Sequence, residues 1–168
     1  MLLSIDKIYL ALDTALSTGA DFAEVFVERS LNKNITMVQK SEKAETDSIV
    51  DRTICGIGVR AYLGLRSACA STTDLSSEGV RKCALNVALS ISDGKRTAPA
   101  FTLHERVNTN IHRIEIVPSS VSNREKMNLL REGMNTAYSK SDLITQVMGS
   151  YLDVDREILV ANSEGLLT

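Results

Sequence analysis

Four short stretches of this sequence hold residue types that could do chemistry. His104-Glu105 with His112 offers two imidazoles and a carboxylate. Zinc hydrolysis needs two histidines one helical turn apart, with a glutamate beside the bound water. The interval from His104 to His112 is wrong for that, and Pro99 and nearby β-branched residues oppose a helix, so the stretch reads as a surface loop. Asp153, Asp155 and Glu157 resemble half of a calcium loop, but the bending glycine and the distant bidentate glutamate are missing. They read as a solvated hairpin turn. Gly56-Ile57-Gly58 begins like a phosphate loop, yet it lacks the third glycine and the helix that must open there. A close-packed strand explains it. Ser71-Thr72-Thr73-Asp74 is rich in hydroxyls, with no histidine placed by sequence to activate one. Helix capping is the reading. The sequence therefore assigns no catalytic, cofactor-binding or metal residue.

Other polar groups have plain explanations. Arg60 and Arg66 either pair with a carboxylate or stay solvated, and solvation is commoner. Cys55, Cys69 and Cys83 are an odd number without a Cys-x-x-Cys pair, as expected for reduced thiols in a cytoplasmic protein. Cys83 lies within an apolar helical stripe and is expected to be inert.

The elements that must carry these residues begin with a β-hairpin. Ile57, Val59, Ala61 and Leu63 alternate with Gly58, Arg60 and Tyr62, which is the period of a half-buried strand. Gly64 suits the reversal, and Arg66 to Ser71 returns with small side chains over which something packs closely. Upstream, Ser4 to Thr18 has helical spacing, with Ser4 as cap and Gly19 as stop. Strands follow over 20–29 and 34–40, separated by a turn at Leu31-Asn32-Lys33-Asn34, and 44–51 is a weak edge strand. Downstream, 76–92 is a helix capped by Asp74 or Ser76 and ended by Asp93-Gly94. Residues 95–121 form an irregular connection with at most a short strand at 110–117. Ser122-Asn123-Arg124-Glu125 is a capping box opening a helix over 122–140. Residues 143–152 and 157–161 are strands about a turn at Asp153-Val154-Asp155, and Asn162 to Gly165 turns into a last apolar run. The predicted fold is α+β, with an antiparallel or mixed sheet and helices packed on it.

Composition narrows the function. A length of 168 residues suits a single domain, 1–168, able to bury a core without staples. The net charge of −2 argues against nucleic acid as a partner. Asp6 and Asp13 interrupt the N-terminal apolar residues, which excludes a signal peptide or membrane span there. The last apolar run, Leu166-Leu167-Thr168, looks like the start of a strand and suggests a chain that continues into a further domain.

Residues 19–29 (Gly-Ala-Asp-Phe-Ala-Glu-Val-Phe-Val-Glu-Arg), 56–61 (Gly-Ile-Gly-Val-Arg-Ala), 70–76 (Ala-Ser-Thr-Thr-Asp-Leu-Ser), Asn123-Arg124-Glu125-Lys126 and 158–165 (Ile-Leu-Val-Ala-Asn-Ser-Glu-Gly) resemble, in order and spacing, the N-terminal region of the TldD/PmbA proteins. These are metallopeptidases also called modulators of DNA gyrase. The third-helix segment looks closer to the TldD branch, while 70–76 also suits PmbA. The resemblance implies zinc-dependent peptide cleavage inside a closed two-subunit chamber, with a paralogous subunit or self-association as partner. It places the metal on a His-Glu-x-x-x-His helix beyond this region. His104-Glu105 is followed by Arg106-Val107-Asn108-Thr109, so no catalytic residue carries over. The implied role here is to confine substrate and support assembly. The alternative is a freestanding, non-enzymatic module that offers a sheet edge to a peptide or protein. A DNA-binding regulator, suggested by the older family name, is disfavoured by the acidic balance.

Overall fold

The periodicities condense into three helices and six strands in a computed structural model that describes residues 2–40, 44–92, 94, 100–107 and 112–168. In chain order they are α1 (Ile5–Leu16), β1 (Phe22–Gln39), β2 (Ala44–Leu63), β3 (Arg66–Thr72), α2 (Ser77–Ser90), β4 (His104–Glu105), a 3-10 turn (Pro118–Ser120), α3 (Asn123–Tyr138), β5 (Val147–Asn162) and β6 (Leu166–Leu167). The strands form one sheet in the order β3-β2-β1-β5-β6-β4. β2 pairs antiparallel with β3, and β5 with β6, while β4 runs parallel to β6. The fold is α+β with a mixed sheet. Contacts divide the chain into two compact units: residues 1–29, 54–111 and 157–168, and residues 30–53 and 112–156. β1, β2 and β5 contribute residues to both.

The first unit is built on an apolar sheet face. Ala23, Val25 and Val27 of β1, with Ile57, Val59 and Ala61 of β2, are buried. They share one cluster with Ile8, Leu12 and Leu16 of α1 and Val80, Cys83 and Val87 of α2. Alanines at 11, 15, 84 and 88 are also buried, and such small side chains let helices and sheet approach closely. Lys7 donates to the Leu75 carbonyl at 2.7 Å and Thr18 to the Ala88 carbonyl at 2.6 Å, tying α1 to the start and end of α2. The hairpin has Val59 opposite Ala70 and Ala61 opposite Ala68. Gly64 turns it at φ 57°, where a side chain would be strained. Asp21 latches that turn: its carboxylate accepts from the Gly64 N–H at 2.7 Å, and its own N–H donates to the Tyr62 carbonyl at 2.8 Å.

The second unit is smaller and more polar inside. Ile35, Met37 and Met134 are buried, with Met127, Leu130, Val147 and Tyr151 packed around them. α3 opens on the expected capping box, with Ser122 accepting from the Glu125 N–H and Glu125 accepting from the Ser122 N–H. The helix lies tightly on Gly149 of β5. A Cβ there would meet Met134 Sδ at 2.7 Å and Leu130 Cδ1 at 2.9 Å.

Several expected boundaries are corrected. The turn at Leu31-Asn32-Lys33-Asn34 is absent because β1 continues through it. Its polar side chains find partners within the unit: Lys33 donates to Asn123, and Asn34 accepts from Ser150 at 3.0 Å. The turn at Asp153-Val154-Asp155 is likewise absent, since β5 is continuous and starts at Val147 rather than 143. Both stretches are extended strand throughout. The weak strand at 44–51 merges with the hairpin's first strand as β2. The expected strand at 110–117 is not formed over 112–117, while 110–111 lie outside the described residues. Ser4 sits at the N-cap of α1, but its side chain makes no capping bond. At α2 the cap is Ser76, which accepts from the Gly79 N–H at 3.1 Å.

Candidate functional site

The pleat that buries Ala23, Val25 and Val27 turns Phe22, Glu24, Phe26 and Glu28 to the opposite face. On that face of the first unit, Gly56 and Gly58 contribute no side chains, and a trough of about 660 Å³ lies between Phe26, Ile54 and Ser71–Thr73. A neighbouring hollow of about 370 Å³ shares Phe26, Gly58 and Ser71 and adds Arg60 and Cys69. Phe26 is 42% exposed and supplies an apolar wall. The two glycines have different reasons to be there. A Cβ on Gly56 would lie 3.1 Å from the Thr72 carbonyl oxygen, so packing against β3 disfavours any larger residue. A Cβ on Gly58 would come no nearer than 3.9 Å to the Phe26 carbonyl oxygen. At Gly58 open space, not a clash, is what a side chain would remove.

Charge in this face is locally balanced. Arg60 Nη1 lies 3.3 Å from Glu24 and 3.4 Å from the Tyr62 hydroxyl. The Tyr62 contact, then Glu24, holds the guanidinium above its already high ordinary pKa. The second of the two readings for Arg60, solvation without a carboxylate, is replaced by this exposed pair. No histidine lines either hollow. The surface offers hydroxyls and an aromatic wall, and the Glu24 carboxylate in it is engaged by Arg60.

The other sequence candidates are scattered. His104 is exposed in β4, where its N–H donates to the Gly165 carbonyl at 2.7 Å; His112 is exposed in a bend. Asp153, Asp155 and Glu157 each take a different partner: Lys126 at 2.6 Å, the Ser119 hydroxyl at 2.5 Å, and Arg29 at 2.6 Å. They are strand residues engaged one by one, not a turn. Asp74 accepts from the Ser76 N–H at 3.0 Å, and bonding to Ser76 lowers its pKa. Arg66 is exposed at the start of β3, as is Cys69 within it; Cys55 is half-buried, and burial raises the Cys83 thiol pKa. Among the described residues no three His, Cys, Asp or Glu converge on one point. These residues do not fit a zinc ion.

Sequence reasoning missed the most buried charged group. Lys126 in α3 is 2% exposed. Its ammonium donates to Asp153 at 2.6 Å and to the Pro118 carbonyl at 2.7 Å, and stands 5.6 Å from the centre of the Tyr151 ring. The available signal was a lysine on the apolar side of α3, one position before Met127. It also missed Asp21, whose place just after Gly19-Ala20 marks the residue that latches the hairpin turn.

Residues 23–91 match the family model described as PmbA/TldA metallopeptidase domain 1, and residues 116–168 match the PmbA/TldA metallopeptidase central domain. The chain belongs to the TldD/PmbA family. Solved structures share its fold. One is named as a modulator of DNA gyrase from Bacteroides thetaiotaomicron (18% identity, TM-score 0.73), matched over 97% of this chain and 37% of that one. Another is TldE from Thermococcus kodakarensis (17% identity, TM-score 0.62), matched over 97% and 35%. A third, from Thermotoga maritima and also named as a modulator of DNA gyrase, has 16% identity and a TM-score of 0.56, over 87% and 32%. The chain thus spans about a third of the length of these relatives. No curated protein matches it significantly in sequence. No helix among the described residues is long and apolar enough to cross a membrane.

Proposed function

We propose that these residues are the substrate-confining and assembly portion of a TldD-like zinc metallopeptidase, cytoplasmic and acting on peptides. The observation that carries the reading is a division of labour. Two metallopeptidase-family domains are matched in sequence, while the described residues gather no three metal ligands and instead form an open trough over Gly56 and Gly58. Such a trough accepts substrate side chains against Phe26 and Ile54, and the metal-bearing helix belongs to residues beyond this stretch. A paralogous TldD/PmbA-type subunit, or a second copy, completes the chamber.

Gly58→Val tests the reading, because its side chain enters the trough and its Cβ meets only ordinary contact. In a protein extended through the metal helix, with its partner subunit present, Gly58→Val should raise KM for peptide cleavage several-fold and leave zinc content unchanged. Unaltered KM would remove the trough from substrate handling. The 168-residue chain alone should show no chelator-sensitive peptidase activity. Stoichiometric zinc on it by elemental analysis would overturn the assignment. Reading the open frame after Thr168 separates this from a freestanding binding module.

A further inference from the structure

We propose that β3 is the edge along which two copies of this chain pair, antiparallel and about a two-fold axis at Cys69, so that their sheets run on as one. β3 ends the sheet, with β2 on one side and no strand on the other among the described residues. The turn before it fixes which groups face outward. Gly64 has φ 57° and Leu65 does not take positive φ, the pattern of a type II′ turn, in which the flanking Leu63 and Arg66 bond one another. Bonded pairs alternate along an antiparallel ladder, so Arg66, Ala68, Ala70 and Thr72 turn their N–H and C=O groups to β2. The Tyr62 carbonyl, in the opposite phase, points away from β3 and accepts from Asp21. Ser67, Cys69 and Ser71 therefore present their backbone groups to the open side.

The residues along this edge make it complementary to itself, as a two-fold contact requires. Ser67-Ala68-Cys69-Ala70-Ser71 reads the same in both directions. Antiparallel pairing about Cys69 sets Ser67 against the partner's Ser71 and Ala68 against the partner's Ala70, with the outward backbone groups in bonding register. Arg66 then lies opposite the partner's Thr72 and diagonal to the partner's Asp74, within reach of a long side chain. Asp74 is exposed, and bonding to Ser76 lowers its pKa, so the carboxylate is charged near neutral pH. A parallel pairing would instead set Arg66 beside the partner's Arg66. β3 also lacks the usual protections of an edge: it holds no proline or lysine, and its register with β2 has no bulge. α2 packs on β3 but leaves Ala68 and Ala70 only half-buried, so the helix does not cover the edge. An extended peptide of unrelated sequence would satisfy the backbone but not this symmetry or charge match. The inference stands apart from the peptidase reading, because pairing and peptide cleavage are measured separately and either can fail alone.

The test is sedimentation of the 168-residue chain over a dilution series, which should show a monomer–dimer equilibrium. A strand-to-strand contact is small, so the dimer should dissociate on dilution. Cys69→Lys sets two like charges face to face on the axis and should weaken the dimer at least about tenfold. Cys69→Pro removes an outward N–H and no bond to β2, and should weaken it likewise. Cys69→Ser should dimerise as the parent does. A second measurement uses the parent alone. Diamide, which takes up the two thiol hydrogens, should link the dimer through Cys69 of both copies, since the Cα separation of an opposed antiparallel pair suits a disulfide. A monomer at every concentration, dimerisation undiminished in Cys69→Lys, or a cross-link through Cys55 or Cys83 instead would overturn the proposal. The first of these outcomes would leave the edge to a paralogous strand or an extended peptide.

Discussion

The two units of this chain solve the problem of an interior in different ways. In residues 1–29, 54–111 and 157–168, β-branched strand residues and alanine-rich helix faces bury one another with little polar content. In residues 30–53 and 112–156, three buried apolar side chains share the interior with a lysine and its carboxylate. Burial of apolar area is forgiving, because each methylene contributes a little and neighbours can shift. A buried ion pair is unforgiving: removing either partner strands a charge, whereas removing both can be nearly neutral. Sensitivity to substitution should therefore be spread out in the first unit and concentrated at Lys126 and Asp153 in the second.

Lys126→Ala breaks the comparison most directly. It should lower stability in urea unfolding by about 3–5 kcal/mol, because Asp153 is left buried and unpaired. The double variant Lys126→Met with Asp153→Leu should recover most of that loss; no recovery would mean that the pair's hydrogen bonds, not its charges, hold the unit. Leu12→Ala, in the apolar core of the first unit, should cost about 2–5 kcal/mol. No second-site partner should rescue it as Asp153→Leu rescues Lys126→Met. An added methyl sharpens the contrast further. Gly149→Ala forces Met134 and Leu130 to move and should cost about 1–3 kcal/mol. Gly58→Ala meets only ordinary contact and should change stability by less than about 0.5 kcal/mol.

The cap of α3 adds a pH-dependent test. Ser122→Ala should cost about 1 kcal/mol. Bonding to the Ser122 side chain and N–H lowers the Glu125 pKa below its ordinary 4.5. Its contribution is thus present above pH 4.5 and is lost as pH falls through the depressed folded value. The difference in stability between the parent and Glu125→Gln should be constant near neutrality and shrink in acid. A difference that grows in acid would contradict the capping role.

What could be read from the sequence was what is local. The stripe of Ile8, Leu12, Ala15 and Leu16, the Ser122–Glu125 box and the turn at Gly64 each depend on residues within a few positions. The readings at Leu31–Asn34 and Asp153–Asp155 failed because polar residues in a long strand look like turn residues until their partners, distant in sequence, are known. Lys33 with Asn123, and Ser119 with Asp155, lie 90 and 36 residues apart. β4 is two residues long and parallel to its neighbour, too short to leave a period. The trough was half legible: Gly56 and Gly58 were visible as a close-packed strand, but the empty space above Gly58 depends on what does not pack there. The capping of α1 by Ser4 failed for a simpler reason, since residue type alone does not orient a hydroxyl.

The bond between the Ala23 N–H and the Ser163 hydroxyl joins residues 140 positions apart, and Ser163 returns a bond to the Ala23 carbonyl. During synthesis the ribosome adds about 5–20 residues per second, so β1 waits roughly 7–28 s for its second neighbour in the sheet. Over that interval β1, β2 and β3 can already be paired, leaving one side of β1 as a raw edge. A nascent chain halted before residue 147 should accordingly be a stronger client for chaperones that recognise exposed strands than one extended past Ser163.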